Sequence, residues 1–221
     1  MTPARLLLGV LLTLALAACS TSPPIAEAFV RDRTGQTARA YRSAVDTRDQ
    51  AVTALTRALD MLADEALEGV HPATAYDLAR RQMIRVQSRL DAADRAQALA
   101  ETRSQDLLDN WKGELRLYDD KGLRADAEQR LDLARATRRT VNQSLRGVLD
   151  ALRGASTELA DRTLFLKHCR DQGELRPAPV SAEGMQRYAK ARADLAEKAA
   201  LADAAMRDWL AVLGQQPLPT P

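Results

Sequence analysis

Three of the four histidine and cysteine side chains in the sequence are candidates for binding borderline or soft metal ions: His71, His168 and Cys169. Imidazole nitrogen and thiolate sulfur are preferred protein ligands of zinc and copper. However, adjacent side chains on a helix point about 100° apart, so His168 and Cys169 do not readily share one ion. No Cys-x-x-Cys, His-x-x-x-His or carboxylate cluster completes a ligand set. The three residues are therefore weak metal candidates, and we expect no cofactor.

Cys169 has two further interpretations, which the sequence leaves open. A disulfide to a second copy of the chain, in an oxidising compartment, would give a homodimer joined tip to tip. Alternatively the thiol is buried and unreactive, while His168 is a surface imidazole that suits the C-terminal end of a helix. Because we expect Cys19 to carry lipid, neither interpretation includes a disulfide within the chain.

Cys19 closes a segment that has the features of an export signal. Arg5 is the only charged residue among positions 1–19, and positions 6–18 form an uncharged, largely apolar run. This pattern is typical of a secretory signal peptide, and the run is shorter than the ~20 apolar residues that span a bilayer. The segment ends Leu16-Ala17-Ala18-Cys19, which resembles the lipobox of bacterial lipoproteins.

That resemblance implies that residues 1–18 are cleaved and that the Cys19 thiol carries diacylglycerol, usually with a third acyl chain on its amine. Two or more acyl chains anchor a protein stably, at ~0.8 kcal/mol per buried CH₂. Ser20 stands where an aspartate would retain enteric lipoproteins in the inner membrane. We therefore expect the outer membrane, with the body in the periplasm. The expected partners are the bilayer, through acylated Cys19, and an envelope protein that the sequence does not identify.

The composition favours helices and argues against nucleic-acid binding. Hydrophobic residues make up 46%, charged residues 28% and aromatic residues only 4% of the 221 residues. β-sandwiches and barrels need more aromatic and β-branched residues than this. The formal net charge is +2, far from the clustered basic footprint that nucleic acid requires.

Enzymatic motifs are missing from the sequence. It contains no Gly-x-Ser-x-Gly, glycine-rich phosphate loop or His-Glu-x-x-His. The acidic residues are spread among arginines at helical spacing, which indicates a solvated face with ion pairs. We therefore expect a protein that is not an enzyme.

Apolar residues at alternating steps of three and four predict four helices. The first follows a short Ser- and Pro-rich tether at 19–26 and stops at Gly69-Val70-His71-Pro72. The second opens with a Thr74/Asp77 capping box and ends before a turn at 119–122. The third runs to about Asp171, with Gly147 and Gly154 as soft points. A loop at 173–180 precedes the fourth helix, which Ser181 caps, and a proline-rich tail at 214–221 is expected to be disordered.

Short connections imply antiparallel neighbours, so residues 27–213 are predicted to form an all-α, elongated, up-down four-helix bundle with coiled-coil-like packing. In this arrangement the turn at 119–122 lies near the lipid, and the connections at 69–74 and 173–180 share the distal tip.

Three polar residues occupy seam positions of these helices: Arg48, Gln97 and Arg138. They could form a polar layer that fixes the register, with Glu101 or Asp94 as partner. Alternatively, their long side chains reach out to water. Trp111 and Trp209 also have seam spacing, which favours the core over the alternative of a headgroup interface.

Three segments of the chain are similar to a family of proteobacterial helical lipoproteins known only as a domain of unknown function. They are Trp111-Lys-Gly-Glu-Leu115 with Tyr118, Leu123-Arg-Ala-Asp126 with Arg130-Leu131, and Leu164-Phe-Leu-Lys-His168. Cys169 departs from the polar residue expected there. The resemblance implies a fold and a cellular location but no activity. We therefore expect a structural or protein-interaction module of the cell envelope, and the alternative is a metal- or small-ligand-binding module that uses the distal tip.

Overall fold

The computed structural model describes residues 25–63, 69–175 and 179–214, with side chains from Arg33 onward. These residues form four α-helices and, among the parts described, no strand, so the expected all-α fold class is confirmed. We number the helices α1 (Ile25–Ala63), α2 (Pro72–Glu114), α3 (Lys121–Asp171) and α4 (Ala182–Val212). A short 3₁₀ turn, Leu115–Leu117, follows α2.

The chain divides into two compact units, Met1–Thr34 and Gly35–Pro221, and the bundle lies in the second. Within it, α1 and α2 are antiparallel. Thr37 Oγ1 donates to the carbonyl oxygen of Arg103 at 3.3 Å, whereas Arg89 Nη1 donates to Gln50 Oε1 at 2.6 Å. The residue number therefore rises along α1 as it falls along α2.

The other pairs of packed helices are also antiparallel. Ion pairs join α2 to α3, α1 to α4 and α3 to α4, and in the first two sets the numbers again run in opposite directions. The pairs are Glu101–Arg146 and Asp94–Arg153, Arg48–Asp203 and Asp60–Arg192, and Glu158–Arg187. The expected up-down order is thereby confirmed, with α4 returning beside α1.

The core consists of the predicted seams. Leucine and alanine fill most of it, and an aromatic contact pairs Tyr41 with Trp209. Their ring centroids are 5.7 Å apart with planes at 63°, an edge-to-face arrangement that adds attraction beyond the buried area. Trp209 is fully buried and Trp111 packs against the core, so the core interpretation of both residues is confirmed.

The starts of α2, α3 and α4 each satisfy a backbone N–H group with a side chain, and one of these starts differs from expectation. His71 caps α2, because its Nδ1 accepts from the Ala73 N–H at 3.3 Å. The predicted Thr74 cap is wrong, since Pro72 suits the first helical position and starts the helix earlier. Asp120 caps α3, accepting from Leu123 N–H at 2.9 Å, and Ser181 caps α4 as expected.

Glycines in the left-handed region follow the ends of α3 and α4. Gly173 has φ +71° and Gly214 has φ +67°, a conformation that costs glycine little. α3 ends at Asp171 as expected and continues unbroken through Gly147 and Gly154. The predicted soft points are therefore not breaks in the helix.

Several predictions fall on parts of the chain outside the described residues. They are the signal peptide at 1–18, the lipid-bearing Cys19 and the tail beyond Gly214. Among the helices that the structure describes, none combines the length and low charge needed to cross a bilayer.

Candidate functional site

The three weak metal candidates have different surroundings. His71 is exposed and already uses Nδ1 as the cap of α2. His168 is exposed on α3, whereas its neighbour Cys169 is only 1% exposed and points into the bundle. Within residues 25–63, 69–175 and 179–214, no three His, Cys, Asp or Glu side chains are grouped to hold a metal ion. Of the two interpretations of Cys169, its position fits the buried thiol.

A buried polar cluster joins α1, α2 and α3 around Ser104. Arg138 Nε donates to Ser104 Oγ at 2.7 Å, and the Tyr41 hydroxyl lies 3.1 Å from the same oxygen. Tyr41 also donates to Asn142 Oδ1. Since Tyr41, Ser104 and Asn142 are all buried, these bonds compensate polar groups that would otherwise be costly to remove from water.

Burial also sets the ionisation of this cluster. It raises the pKa of the Tyr41 hydroxyl, and the hydrogen bond with Ser104 and the charge of Arg138 offset this only partly. Tyr41 therefore stays protonated at neutral pH and serves as a hydrogen-bond donor. The cluster fixes the relative height of three helices, and no proton transfer is required of it.

Glu101 extends the polar contacts towards the surface. Its carboxylate accepts from Gln97 Nε2 at 2.9 Å and from the guanidinium of Arg146, with Nε 2.9 Å from Oε1. Its backbone oxygen accepts from Arg138 Nη2 at 3.1 Å. Gln97 and Arg138 thus both engage Glu101, as the polar-layer interpretation expected.

The ionisation of Glu101 reflects these contacts. Burial, the largest single influence, raises its pKa, but the hydrogen bonds from Arg146 and Gln97 and the charges of Arg146 and Arg138 together outweigh it. The net effect holds the pKa of Glu101 below its ordinary value. The carboxylate is therefore charged throughout the physiological range.

A shallow groove of about 280 Å³ lies over this carboxylate between α2 and α3. Its charged side chains neutralise one another in pairs, such as Arg153 Nη2 with Asp94 Oδ1 at 2.6 Å. The charged side chains that line the groove therefore hold α2 and α3 together. Its lining residues are Asp94, Gln97, Ala98, Glu101, Arg146, Leu149, Asp150 and Arg153.

Arg48 belongs to a different set of contacts. Its Nη2 donates to Asp49 Oδ1 at 2.6 Å and to Asp203 Oδ1 at 2.7 Å, which joins α1 to α4. The predicted partners Glu101 and Asp94 bind other arginines instead. With 2% of its surface exposed, Arg48 does not reach out to water either, so both interpretations made for it are wrong.

Among the exposed large apolar side chains of the described residues, two groups consist of neighbours in the sequence. One surrounds the turn between α2 and α3, where Leu117 is 79% exposed and Tyr118 and Leu123 are also exposed. The other is on α3 near its C-terminal end, where Leu164 is 53% and Phe165 is 39% exposed. Leu123 has the spacing of a seam residue relative to Ala127 and Leu131, which would predict a core position, but it is exposed.

The reason for the exposure of Leu123 is the unequal length of the helices. α3 has 51 residues and α4 has 31, and both meet the loop at 172–181. Roughly 20 residues of α3, about 30 Å at 1.5 Å per residue, therefore extend beyond the end of α4. Over that stretch the fourth helix that would complete the core is missing, and Leu123 stays in solvent.

The family model described as Protein of unknown function (DUF2959) matches residues 30–172. The chain belongs to this family. The family match covers most of α1, all of α2 and α3, and the polar cluster around Ser104, and it includes Leu164 and Phe165. It ends just after α3, so α4 and the Asp203 partner of Arg48 lie outside the part that the family defines. No curated protein and no solved structure matches the chain.

Proposed function

We propose that this protein is a lipid-anchored interaction module of the cell envelope that binds another protein through the Leu164–Phe165 surface of α3. The exposure of these two side chains carries the proposal. Leu159 and Leu166 on the same helix are completely buried in the bundle, whereas Leu164 and Phe165 face solvent together. Neighbouring exposed apolar side chains mark an interaction surface more often than apolar side chains that are exposed singly.

The chemistry of this surface resembles the anchor of a protein interface. The guanidinium of Arg162 lies 4.9 Å from the centroid of the Phe165 ring, within the range of a cation–π contact. Aromatic rings and arginines are enriched at interface centres, where they contribute most of the binding energy. A partner with an apolar pocket that accepts the Phe165 ring fits this surface.

The anchor in this proposal is the acylated Cys19, supported by the lipobox Leu16-Ala17-Ala18-Cys19 after a charged and then apolar segment. We infer an outer-membrane address from Ser20. A binding role without catalysis fits the polar side chains of the bundle, because Glu101, Arg138 and Arg48 are engaged in holding helices together.

Photo-crosslinking in the native cells tests the binding surface. A photoreactive amino acid at position 165 should capture one envelope protein, whereas the same residue at Leu133 should not. Leu133 is a matched control, since it is an exposed leucine on the same helix. Leu164→Asp should abolish capture at 165 without changing helical content, and Cys19→Ser should abolish it by removing the anchor.

Equal capture at 133 and 165, or capture that survives Leu164→Asp, would refute the Leu164–Phe165 surface. The lipid anchor is tested separately by the mass of the mature N-terminal peptide, which must include diacylglycerol on Cys19. Thus a failed interface and a failed anchor give different results.

The alternative is a metal- or small-ligand-binding module at the distal tip, and it remains a prediction. Zinc and copper analysis of the purified protein, alongside the His71→Ala and His168→Ala variants, discriminates between the two. Stoichiometric metal that is lost in either variant would favour the alternative.

A further inference from the structure

We infer that the turn between α2 and α3 is a second membrane contact, at which Leu117, Tyr118 and Leu123 insert into the surface of the bilayer that holds the Cys19 lipid. This inference rests on the proposed lipid anchor. It adds an orientation, since a single point of lipid attachment does not by itself set the tilt of the bundle.

The first support is the position of the turn. In the bundle, Thr37 near the start of α1 contacts Arg103 near the end of α2. α2 then continues to Glu114, and the turn follows. Gly35, where the chain enters the bundle, is therefore at the same end as the α2–α3 turn.

The second support is reach. Cys19 lies six residues before Ile25, where α1 begins, and such a segment spans at most about 20 Å when fully extended. The ten residues of α1 from Ile25 to Gly35 add about 15 Å at 1.5 Å per residue. The α2–α3 turn lies roughly 12 residues beyond Arg103, about 18 Å at 1.5 Å per residue. The chain between Cys19 and Gly35 is therefore long enough to cover the distance by which the turn extends beyond Arg103.

The third support is the chemistry of the turn. Leu117 is 79% exposed, on a 3₁₀ turn that has no buried residue. Tyr118 supplies a ring with an apolar body and a polar tip, the kind of side chain enriched at headgroup level. Leu123 adds a second exposed leucine in the first turn of α3.

The charges around the turn indicate which force holds it to the bilayer. Arg116, Lys121 and Arg124 are opposed by Asp119 and Asp120 between positions 116 and 124. These charges nearly cancel, so attraction to anionic lipid is weak, and burial of apolar surface supplies the binding. Contact with the bilayer should therefore be as strong on zwitterionic vesicles as on anionic vesicles, and resistant to salt.

Depth-dependent fluorescence quenching in reconstituted vesicles tests this inference. The full-length lipidated protein is labelled with a polarity-sensitive maleimide dye at Leu117→Cys, in phosphatidylcholine vesicles that contain brominated lipid. Cys19 is acylated and Cys169 is buried, so the introduced thiol takes the label. Leu175→Cys is the matched control, because Leu175 is 86% exposed and follows the other end of α3.

We expect a blue-shifted emission and about twofold quenching at position 117, with neither change at 175, since interfacial insertion reaches ~5–10 Å into the lipid. Adding Leu123→Asp should return the 117 label towards its spectrum in water. Unquenched label at 117, in protein that still floats with the vesicles, overturns the inference and leaves the anchor intact. Protein that does not float contradicts the anchor itself.

Discussion

Arg48 on α1 and Asp203 on α4, 155 positions apart, meet with Nη2 2.7 Å from Oδ1. Arg48 is almost fully buried, and Asp49 binds the same nitrogen from the neighbouring position. The buried guanidinium therefore depends on a helix that lies beyond the family-defined region. We expect Asp203→Ala to lower the free energy of unfolding by about 1.5–3 kcal/mol, the range for a hydrogen bond to a charged group.

Thermal unfolding followed by circular dichroism measures this change, as a lower Tm of about 2–4 °C per kcal/mol for a chain of this size. Asp208→Ala is the control, since Asp208 is exposed on the same helix. Equal effects of the two substitutions would show that the Arg48–Asp203 pair contributes nothing specific.

Arg138 should matter more to stability than its neighbour Arg139. Arg138 donates to Ser104 Oγ and to the Glu101 carbonyl, whereas Arg139 is exposed. Arg138→Leu is therefore expected to destabilise the bundle by about 1–2 kcal/mol in urea denaturation, and Arg139→Leu by less than about 0.5 kcal/mol. A melting temperature that stays unchanged or rises in Arg138→Leu would mean that the Ser104 cluster is not required.

Glu101 should make part of the stability depend on pH. Because its pKa in the folded protein lies below the ordinary value of 4.5, its contribution is fully present above pH 4.5 and is lost as the pH falls through the lowered pKa. Glu101→Gln should thus be less stable than the native protein at pH 7, by about 1 kcal/mol given the exposure of Arg146.

Urea titrations at neutral and acidic pH, run on both proteins, check this expectation. The difference in free energy of unfolding should shrink below pH 4.5. A difference that is constant from neutral to strongly acidic pH would contradict the charge-dependent role of Glu101.

The Cys169 thiol should be protected in the folded protein. Because it is only 1% exposed, a maleimide reagent should modify it in denaturant and not in native buffer. His168→Cys places a second thiol at the exposed neighbouring position and should be modified at once, as a mass increase of one label. Rapid modification of both thiols would show that Cys169 is accessible and would restore the disulfide-linked dimer as an explanation.

The helices and their antiparallel order could be predicted because apolar spacing, glycine and proline directly limit local structure. The predictions that were wrong concern the start of α2 and the burial of Leu123, which depend on neighbouring residues and on the length of another helix. Thr74 has the side chain of a good cap, but Pro72 and His71 begin the helix first. Leu123 keeps perfect seam spacing, yet it is exposed because α4 ends before reaching it.

The polar contacts show the same limit. Gln97, Arg138 and Glu101 could be placed together because they lie at matching heights on adjacent helices. The choice of Asp203 for Arg48 depends on the register of α4, which no local pattern defines. The seven-residue spacing of Ser104 from Gln97 was a signal for the buried cluster, but the bonds of Tyr41 with Ser104 and Asn142 depend on the packing of three helices.

The unbroken course of α3 through its two interior glycines has a mechanical consequence. From Lys121 to Phe165 the helix rises about 65 Å at 1.5 Å per residue, and a rigid helix keeps that separation constant. If the turn contacts a membrane, the fixed length of α3 sets the distance of Phe165 from that membrane for a given tilt of the bundle. The protein would then bind only partners whose binding site lies at that distance from the membrane. The length of the helix would in this way contribute to the choice of partner.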